Sequence, residues 1–436
     1  MMRPLRTVNN VSSIQLFNLI RFGVTILISI LLAKSGLSTA EISMYEALLF
    51  LGNLVSFFWI GGGLNALLSF YPKLEERDRA AAFGQAFVVF SALGIAAASL
   101  LWVLRDFLLW RLTNFTELPY FGWLCLFVVL NAPSFLVHIY YLLLRKFDRI
   151  VWFGAISFGL QLIAVLVPVY AGWGLRWTFI GLTFWAALKL LWVAWILVHH
   201  ASFRFRKELW QPYAALFVPL TAHLLIGNSV EYTDGLIVTS YFTDERAFAI
   251  FRYGARELPL TTLLVGGLVT ALIPEIATDL AGGMKQVRER TAQLAAWLFP
   301  LSALFMLLSP FAFPLVYNDD FALSARVFNV YLLILSSRIL LPQVIVIGQG
   351  KNYFLVVSAL IETVVNIALS LWWVRWLGLE GIALASLVAF SVNKANLIAF
   401  NYWKLGISPG EYLPWKKLLW LNLLLAAAYF ASLYLS

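Results

Sequence analysis

The chain has little with which to do covalent chemistry. Its 436 residues include one cysteine and four histidines, so no intrachain disulfide can form and no Cys/His set has zinc-ligand spacing. Cys125 sits inside an apolar run. Charged residues make up only 12%, against about 25% in soluble globular domains. No GxxxxGK[ST] phosphate loop occurs, and no loop between apolar segments exceeds roughly 15 residues, which leaves no room for a soluble nucleotidase or transferase domain. ATP is therefore not the expected energy source, and neither a cofactor nor a metal site is expected.

What is abundant is apolar surface: 62% of residues are hydrophobic, 16% are aromatic, and mean hydropathy is +0.85. A soluble core cannot absorb that fraction, so most of this surface must face lipid. There only helices or closed barrels satisfy the backbone, and the long uninterrupted apolar runs select helices. With about 20 residues needed to cross, spans read near 12–34, 40–70, 81–104, 118–144, 150–171 and 175–198. A second set reads near 213–240, 257–277, 291–316, 324–348, 352–375 and 379–403, and one more near 416–435. The opening MMRPLRT before the apolar Phe22–Ala33 run has signal-peptide character, but Arg21 interrupts it and no small-residue cleavage site follows, so it reads as an uncleaved first helix.

The chain also repeats itself at about half its length. STAEISMYE (Ser38 to Glu46) is echoed by TDERAFAIFR (Thr243 to Arg252), and Gly62-Gly63-Leu64 with Ala66-Leu67 before Pro72 by Gly266-Gly267-Leu268 with Ala271-Leu272 before Pro274. Self-similarity of this kind in a very apolar chain marks a transporter built of two related bundles. An even number of helices per repeat makes both copies enter from one side, so the expected fold is an all-α polytopic membrane protein of two six-helix lobes. A pseudo-twofold along the membrane normal relates them, a central cavity separates them, and a thirteenth helix follows. The expected divisions are 1–203, 204–403 and 404–436, with the basic, aromatic stretch His199 to Pro212 as linker.

A net charge of +9 in a soluble protein would suggest nucleic acid. Here the basic residues sit in short loops, where they set orientation instead. Taking the N-terminus as cytoplasmic, the inner loops (Arg3, Arg6, Lys73, Arg77, Arg145, Lys146, Arg149, Arg204 and Arg206 among others) hold twice as many cations as the outer ones (such as Lys34, Arg105, Arg111 and Arg176).

Charges inside the apolar runs are the candidate functional residues, because each costs about 2.5 to 3.5 kcal/mol to insert at mid-bilayer and must face a cavity or a partner. They are Arg21, Lys189, Arg338 and Lys394 against Glu46, Glu231, Asp234 and Glu362. Helical spacing aligns Asn18, Arg21, Thr25 and Ser29 on the first helix and Glu46 with Asn53 on the second. It also aligns His223, Gly227, Glu231 and Asp234 on the seventh, and Ser358, Glu362, Asn366 and Ser370 on the eleventh. Each stripe is a candidate cavity wall. The alternative is internal pairing for assembly, such as Arg338 with Glu362. Lys189, flanked by Trp185 and Trp192, suits cation-π packing as well as a substrate role. His138 and His223 read as hydrogen-bonded helix contacts rather than metal ligands. Asn131-Ala132-Pro133, Pro219, Pro300, Pro310 and Pro342 mark expected bends.

The residues NLIRFG (Asn18 to Gly23), YEALLFLGNLVSFFW (Tyr45 to Trp59) and RYGARELPL (Arg252 to Leu260) running into LVTALIPEIA resemble the polysaccharide and oligosaccharidyl-lipid flippases of the MATE-like superfamily. The likeness covers the twelve paired helices, although the family often carries 12 or 14 helices and this chain reads as 13. It implies a bacterial inner-membrane protein, not an enzyme. Such a protein moves an undecaprenyl-pyrophosphate-linked O-antigen, capsule or exopolysaccharide unit between leaflets by alternating access, alongside glycan polymerases and other assembly proteins. In the similar lipid II flippases, an arginine of the first helix and arginines opening the eighth line a cationic cavity, which here match Arg21, Arg252 and Arg256. Arg338, Lys394 and Asn18 complete the expected substrate set. Glu46, Glu231, Asp234 and Glu362 are the candidates for H+ or Na+ coupling. The rival readings are a cation-coupled multidrug exporter and, from another class, a membrane-embedded glycan polymerase or ligase, for which the outer segments are short.

Overall fold

The computed structural model describes residues 10–109, 115, 117–203, 206–256 and 259–435. Arg3, Arg6, Arg111 and Arg204 of the charge pattern lie outside them. The described chain is helical, without strands, and ten of its helices are long and apolar enough to cross a membrane, or eleven if one bent pair counts as a single span. It is a multi-pass membrane protein. Contacts divide it into two compact units, Met1–Leu225 and Ile226–Ser436.

The first unit contains α1 (Asn10–Ala33), α2 (Thr39–Leu54), α3 (Phe57–Phe70), α4 (Glu76–Val103), α5 (Phe121–Asn131), α6 (Leu136–Leu143), α7 (Phe147–Tyr170), α8 (Leu175–His200) and nearly all of α9 (Lys207–Gly227). A reciprocal cap starts α2: Glu41 N donates to Ser38 Oγ while the Glu41 carboxylate accepts from Ser38 N at 2.8 Å. The expected span 40–70 is broken, α2 and the Phe57–Lys73 segment meeting at 47°. Asn131-Ala132-Pro133, expected to mark a bend, coincides with a 3-10 turn over Ala132–Phe135 within the fourth span. α3 and α9 touch backbone to side chain at Gly62, where a Cβ would come within 2.7 Å of Thr221 Cα. One residue on, Tyr213 OH donates to the Gly63 carbonyl at 3.2 Å.

The second unit contains α10 (Ser229–Tyr241), α11 (Ala247–Gly254), α12 (Pro259–Thr278), α13 (Leu280–Val316), α14 (Ala322–Leu333), α15 (Pro342–Gly348), α16 (Tyr353–Leu405) and α17 (Trp415–Leu435). The expected span 213–240 is interrupted at Asn228. Pro300 and Pro310 lie inside the continuous helix α13, whereas Pro342 opens α15 at its first turn, where its missing N–H costs nothing. α16 is two spans in one: Gly378, at φ 59 and ψ −135, reverses the chain. Ser358 Oγ then donates to the Asn393 carbonyl at 3.2 Å across the hairpin so formed. The thirteenth span, α17, packs along α13, and Asn329 Nδ2 donates to Ser432 Oγ at 2.9 Å. Its Leu418, Leu425 and Ala428 share a core with Leu298, Phe299 and Met306 of α13.

Candidate functional site

The polar residues of the second unit gather around the α16 hairpin. Its first arm carries Ser358, Glu362, Asn366 and Ser370, all at one helical face and all buried. The stripe expected to wall a cavity thus faces the interior of its own unit. Opposite Asn366 stands Asp234 of α10, only 1% exposed. Its carboxylate accepts from Asn366 Nδ2 at 3.0 Å, from Tyr331 OH of α14 at 3.1 Å, and from Ser386 Oγ of the second hairpin arm. The Asn366 amide also reaches Ser386 Oγ at 3.0 Å. All three donors are neutral. Asn366 Oδ1 and Ser370 Oγ are buried without a partner among the described residues. Among the described residues the cluster is therefore a buried acid with spare oxygen acceptors beside it and no cationic side chain bonded to it.

One turn away, Glu362 accepts from Asn393 Nδ2 at 2.7 Å. The Lys394 ammonium donates to Gln343 Oε1 of α15 at 2.9 Å. Arg338 lies over the Phe390 ring, 4.2 Å from its centroid, and both cations interact electrostatically with Glu362. The Arg338–Glu362 pairing raised by the sequence is thus part of a larger group, in which aromatic and amide partners hold the two cations.

Arg252 lies on the short helix α11, which falls between the expected spans 213–240 and 257–277. Its guanidinium stands 3.6 Å from the Glu231 carboxylate, with side chains 35% and 66% exposed respectively. Arg256 follows the helix and packs over Tyr253, 4.8 Å from the ring centroid.

In the first unit, Arg21 is exposed on α1, its guanidinium 5.5 Å from the Phe22 ring centroid. On the same stripe Asn18 is half-buried, Thr25 is exposed and donates to the Arg21 carbonyl, and Ser29 is buried. Glu46 is half-buried beside Tyr45, and Asn53 is exposed. Lys189 donates to Asn131 Oδ1 rather than stacking on its neighbouring tryptophans. Those two rings are engaged elsewhere, Trp185 with the Ser157 carbonyl and Trp192 with Tyr141 OH. His138 stacks on Phe17 with centroids 5.0 Å apart, and His223 is exposed. No group of three metal-ligating side chains occurs among the described residues.

Sequence reasoning missed Tyr331, Ser386, Asn393, Gln343 and Phe390. Ser386 and Asn393 are seven residues apart in an apolar run, a spacing that puts both on one helix face. Tyr331 carries no such signal.

No protein-family profile matches the sequence, and no curated protein matches it. Among solved structures, the chain is similar to the lipid II flippase MurJ in an inward closed conformation, with a TM-score of 0.74 and 16% identity over 95% of this chain and 91% of that one. It is also similar to an inward-facing multidrug resistance MATE family transporter of the MOP superfamily (TM-score 0.62, 12% identity, 93% and 94% covered). A MOP superfamily transporter from Pyrococcus furiosus, described as having a binding pocket of reversed polarity, matches at TM-score 0.61 and 12% identity, with 96% and 97% covered. The chain has the fold these transporters share.

Proposed function

We propose that the chain is an alternating-access flippase that carries a polyprenyl-pyrophosphate-linked oligosaccharide from the inner to the outer leaflet of a bacterial cytoplasmic membrane. The observation that carries this reading is the likeness to a lipid II flippase along 95% of the chain, taken with arginines at positions 21, 252 and 256. A pyrophosphate bears about two negative charges that cannot cross hydrocarbon bare, and guanidinium forks hold phosphate oxygens bidentately. Arg21, Arg252 and Arg256 grip the pyrophosphate, Asn18, Arg338 and Lys394 support the polar head, and the prenyl tail stays in lipid. Glu231, in contact with Arg252, keeps that arginine placed until the phosphate displaces it.

Outward movement of negative charge is favoured by an inside-negative potential at about 2.3 kcal/mol per charge per 100 mV. Of the four acids, Asp234 best suits ion coupling. It is a buried carboxylate with only neutral donors and with the Asn366 and Ser370 oxygens spare, a setting that favours a bound proton or a monovalent cation over a bare anion. The same feature supports a second reading, a cation-coupled multidrug exporter.

Reconstitution with a lipid-linked oligosaccharide, comparing leaflet exchange for the wild type, Arg21→Ala and Arg256→Ala, tests the proposal. Loss of exchange in both variants is expected, and undiminished exchange in both removes the arginine grip. Dye efflux by the same vesicles with no effect on glycan exchange favours the exporter.

A further inference from the structure

We infer that the first unit carries a binding site for an anionic glycerophospholipid at one end of helices α6, α7 and α8, separate from any residue assigned above to transport. A groove of about 540 Å³ opens there, lined by Tyr141, Arg149, Trp152, Leu188, Trp192 and Trp195. Its floor is pre-formed. Tyr141 is buried, Trp192 Nε1 donates to Tyr141 OH at 2.9 Å, and Arg149 lies with its guanidinium 5.8 Å from the Tyr141 ring centroid. Trp152 and Trp195 stand 65% and 50% exposed on the two sides.

Charge identifies the head group. The α6–α7 turn and the first turn of α7 hold Arg145, Lys146 and Arg149 against the single acid Asp148, and α8 closes on His199 and His200. These groups meet in space: His200 interacts electrostatically with Lys146, His199 and Arg149, and its ring lies 5.5 Å from that of Tyr140. Among the described residues neither Lys146 nor Arg149 makes an ion pair. A corner at a helix end where Arg145, Lys146 and Arg149 outnumber the one acid, Asp148, is the complement of a lipid phosphate.

Length identifies the rest of the ligand. Leu188, Trp192, Trp195 and His199 follow one face of α8, and at 1.5 Å per residue they extend about 17 Å along its axis. That is roughly half of the ~30 Å hydrocarbon core, the depth of one leaflet. A phosphate at the Arg149 and His200 end therefore sets an acyl chain alongside Trp195, Trp192 and Leu188. An ordinary aromatic belt places isolated tryptophans at headgroup level, whereas here they line a concave slot running inward from the cations.

Native mass spectrometry of the purified, delipidated full chain tests the site. Phosphatidylglycerol is compared with phosphatidylcholine of the same acyl chains, and with glycerol 3-phosphate as a head group without a tail. The wild type is expected to retain phosphatidylglycerol in preference to phosphatidylcholine. The double variant Lys146→Gln/Arg149→Gln lowers that preference about tenfold, as loss of charge-assisted contacts predicts. Trp195→Ala weakens retention of phosphatidylglycerol while sparing the head-group preference. Arg77→Gln, whose arginine sits in an exposed pair with Glu75, leaves both unchanged. The ratio between two lipids on one variant is insensitive to partial misfolding. Equal retention of the two lipids by the wild type, an unchanged ratio in the double variant, an equal drop in Arg77→Gln, or competition by glycerol 3-phosphate at the same concentration overturns the site. None of these readouts involves leaflet exchange, so they stand or fall apart from the transport proposal.

Discussion

Asn366 reaches across 132 residues of sequence to donate its amide to Asp234 at 3.0 Å, while its own carbonyl oxygen stays buried without a partner. An amide can both donate and accept, so this residue stabilises the acid and leaves an acceptor without a partner among the described residues. The pair joins α10 to the α16 hairpin.

Replacing Asp234 separates its structural part from its functional one. Asp234→Asn keeps the shape and loses the charge, and it is expected to retain a melting temperature near that of the wild type while transport loses its dependence on a pH or Na+ gradient. Asp234→Ala removes the acceptor shared by Asn366, Ser386 and Tyr331, at about 1 to 3 kcal/mol for a donor left unsatisfied, and its melting temperature is expected to fall below that of Asp234→Asn. Thermal unfolding in detergent beside gradient-driven exchange in vesicles checks both. Unaltered gradient dependence in Asp234→Asn rules out this acid as the coupling site.

The α3–α9 contact tolerates no side chain at Gly62, because a Cβ there meets the Thr221 backbone at 2.7 Å. Gly62→Val is expected to cost about 1 to 3 kcal/mol through overpacking, and Gly159→Val, at a position with nothing within 4 Å of a built Cβ, markedly less. Melting temperatures of the two variants give the comparison.

The reversal at Gly378 combines φ 59 with ψ −135, a region populated by glycine and costing other residues about 1 to 3 kcal/mol. Nothing lies within 4 Å of a Cβ added there, so Gly378→Ala is expected to destabilise through the backbone alone, and Gly378→Asn no less, because the tolerance of Asn for positive φ is confined to the left-handed helical well at ψ of about +30 to +60. The order of their melting temperatures is the test.

Outside the membrane, Arg246 holds the Asp244 carboxyl below the usual carboxylate range, chiefly by hydrogen bonding to it at 2.9 Å. A pKa lower in the folded chain than in the unfolded one stabilises above the ordinary value of about 3.9 and stops doing so as pH falls through the folded value. The pair is exposed, so the effect is small and screened by salt. Asp244→Asn is expected to melt slightly below the wild type at pH 7 in low salt, the gap closing in strong acid and in high salt.

The thirteen apolar runs each meet helix in the structure because continuous hydrophobicity of span length permits little else in lipid. Boundaries were less legible. The break at Asn228 and the bend after Leu54 carry no proline, and each falls inside a run that reads as continuous. Pro300 and Pro310, expected to mark bends, both lie within the uninterrupted helix α13.

Among the polar residues, helical spacing identified the Ser358, Glu362, Asn366 and Ser370 face correctly and said nothing about what that face meets. A period is a property of one helix, whereas burial belongs to two. Arg21 and Glu362 look alike as lone charges in apolar runs, but one is exposed and the other only 8% exposed.

Composition and hydropathy alone determined that this chain lives in a bilayer as a many-helix bundle, since nothing else can hold so much apolar surface with so few charges. The hairpin at Gly378 decided the rest. It brings Asn366, Ser386 and, from α10, Asp234 within hydrogen-bonding distance, and such convergence depends on how helices fold back on one another, which no pattern read along a single segment contains.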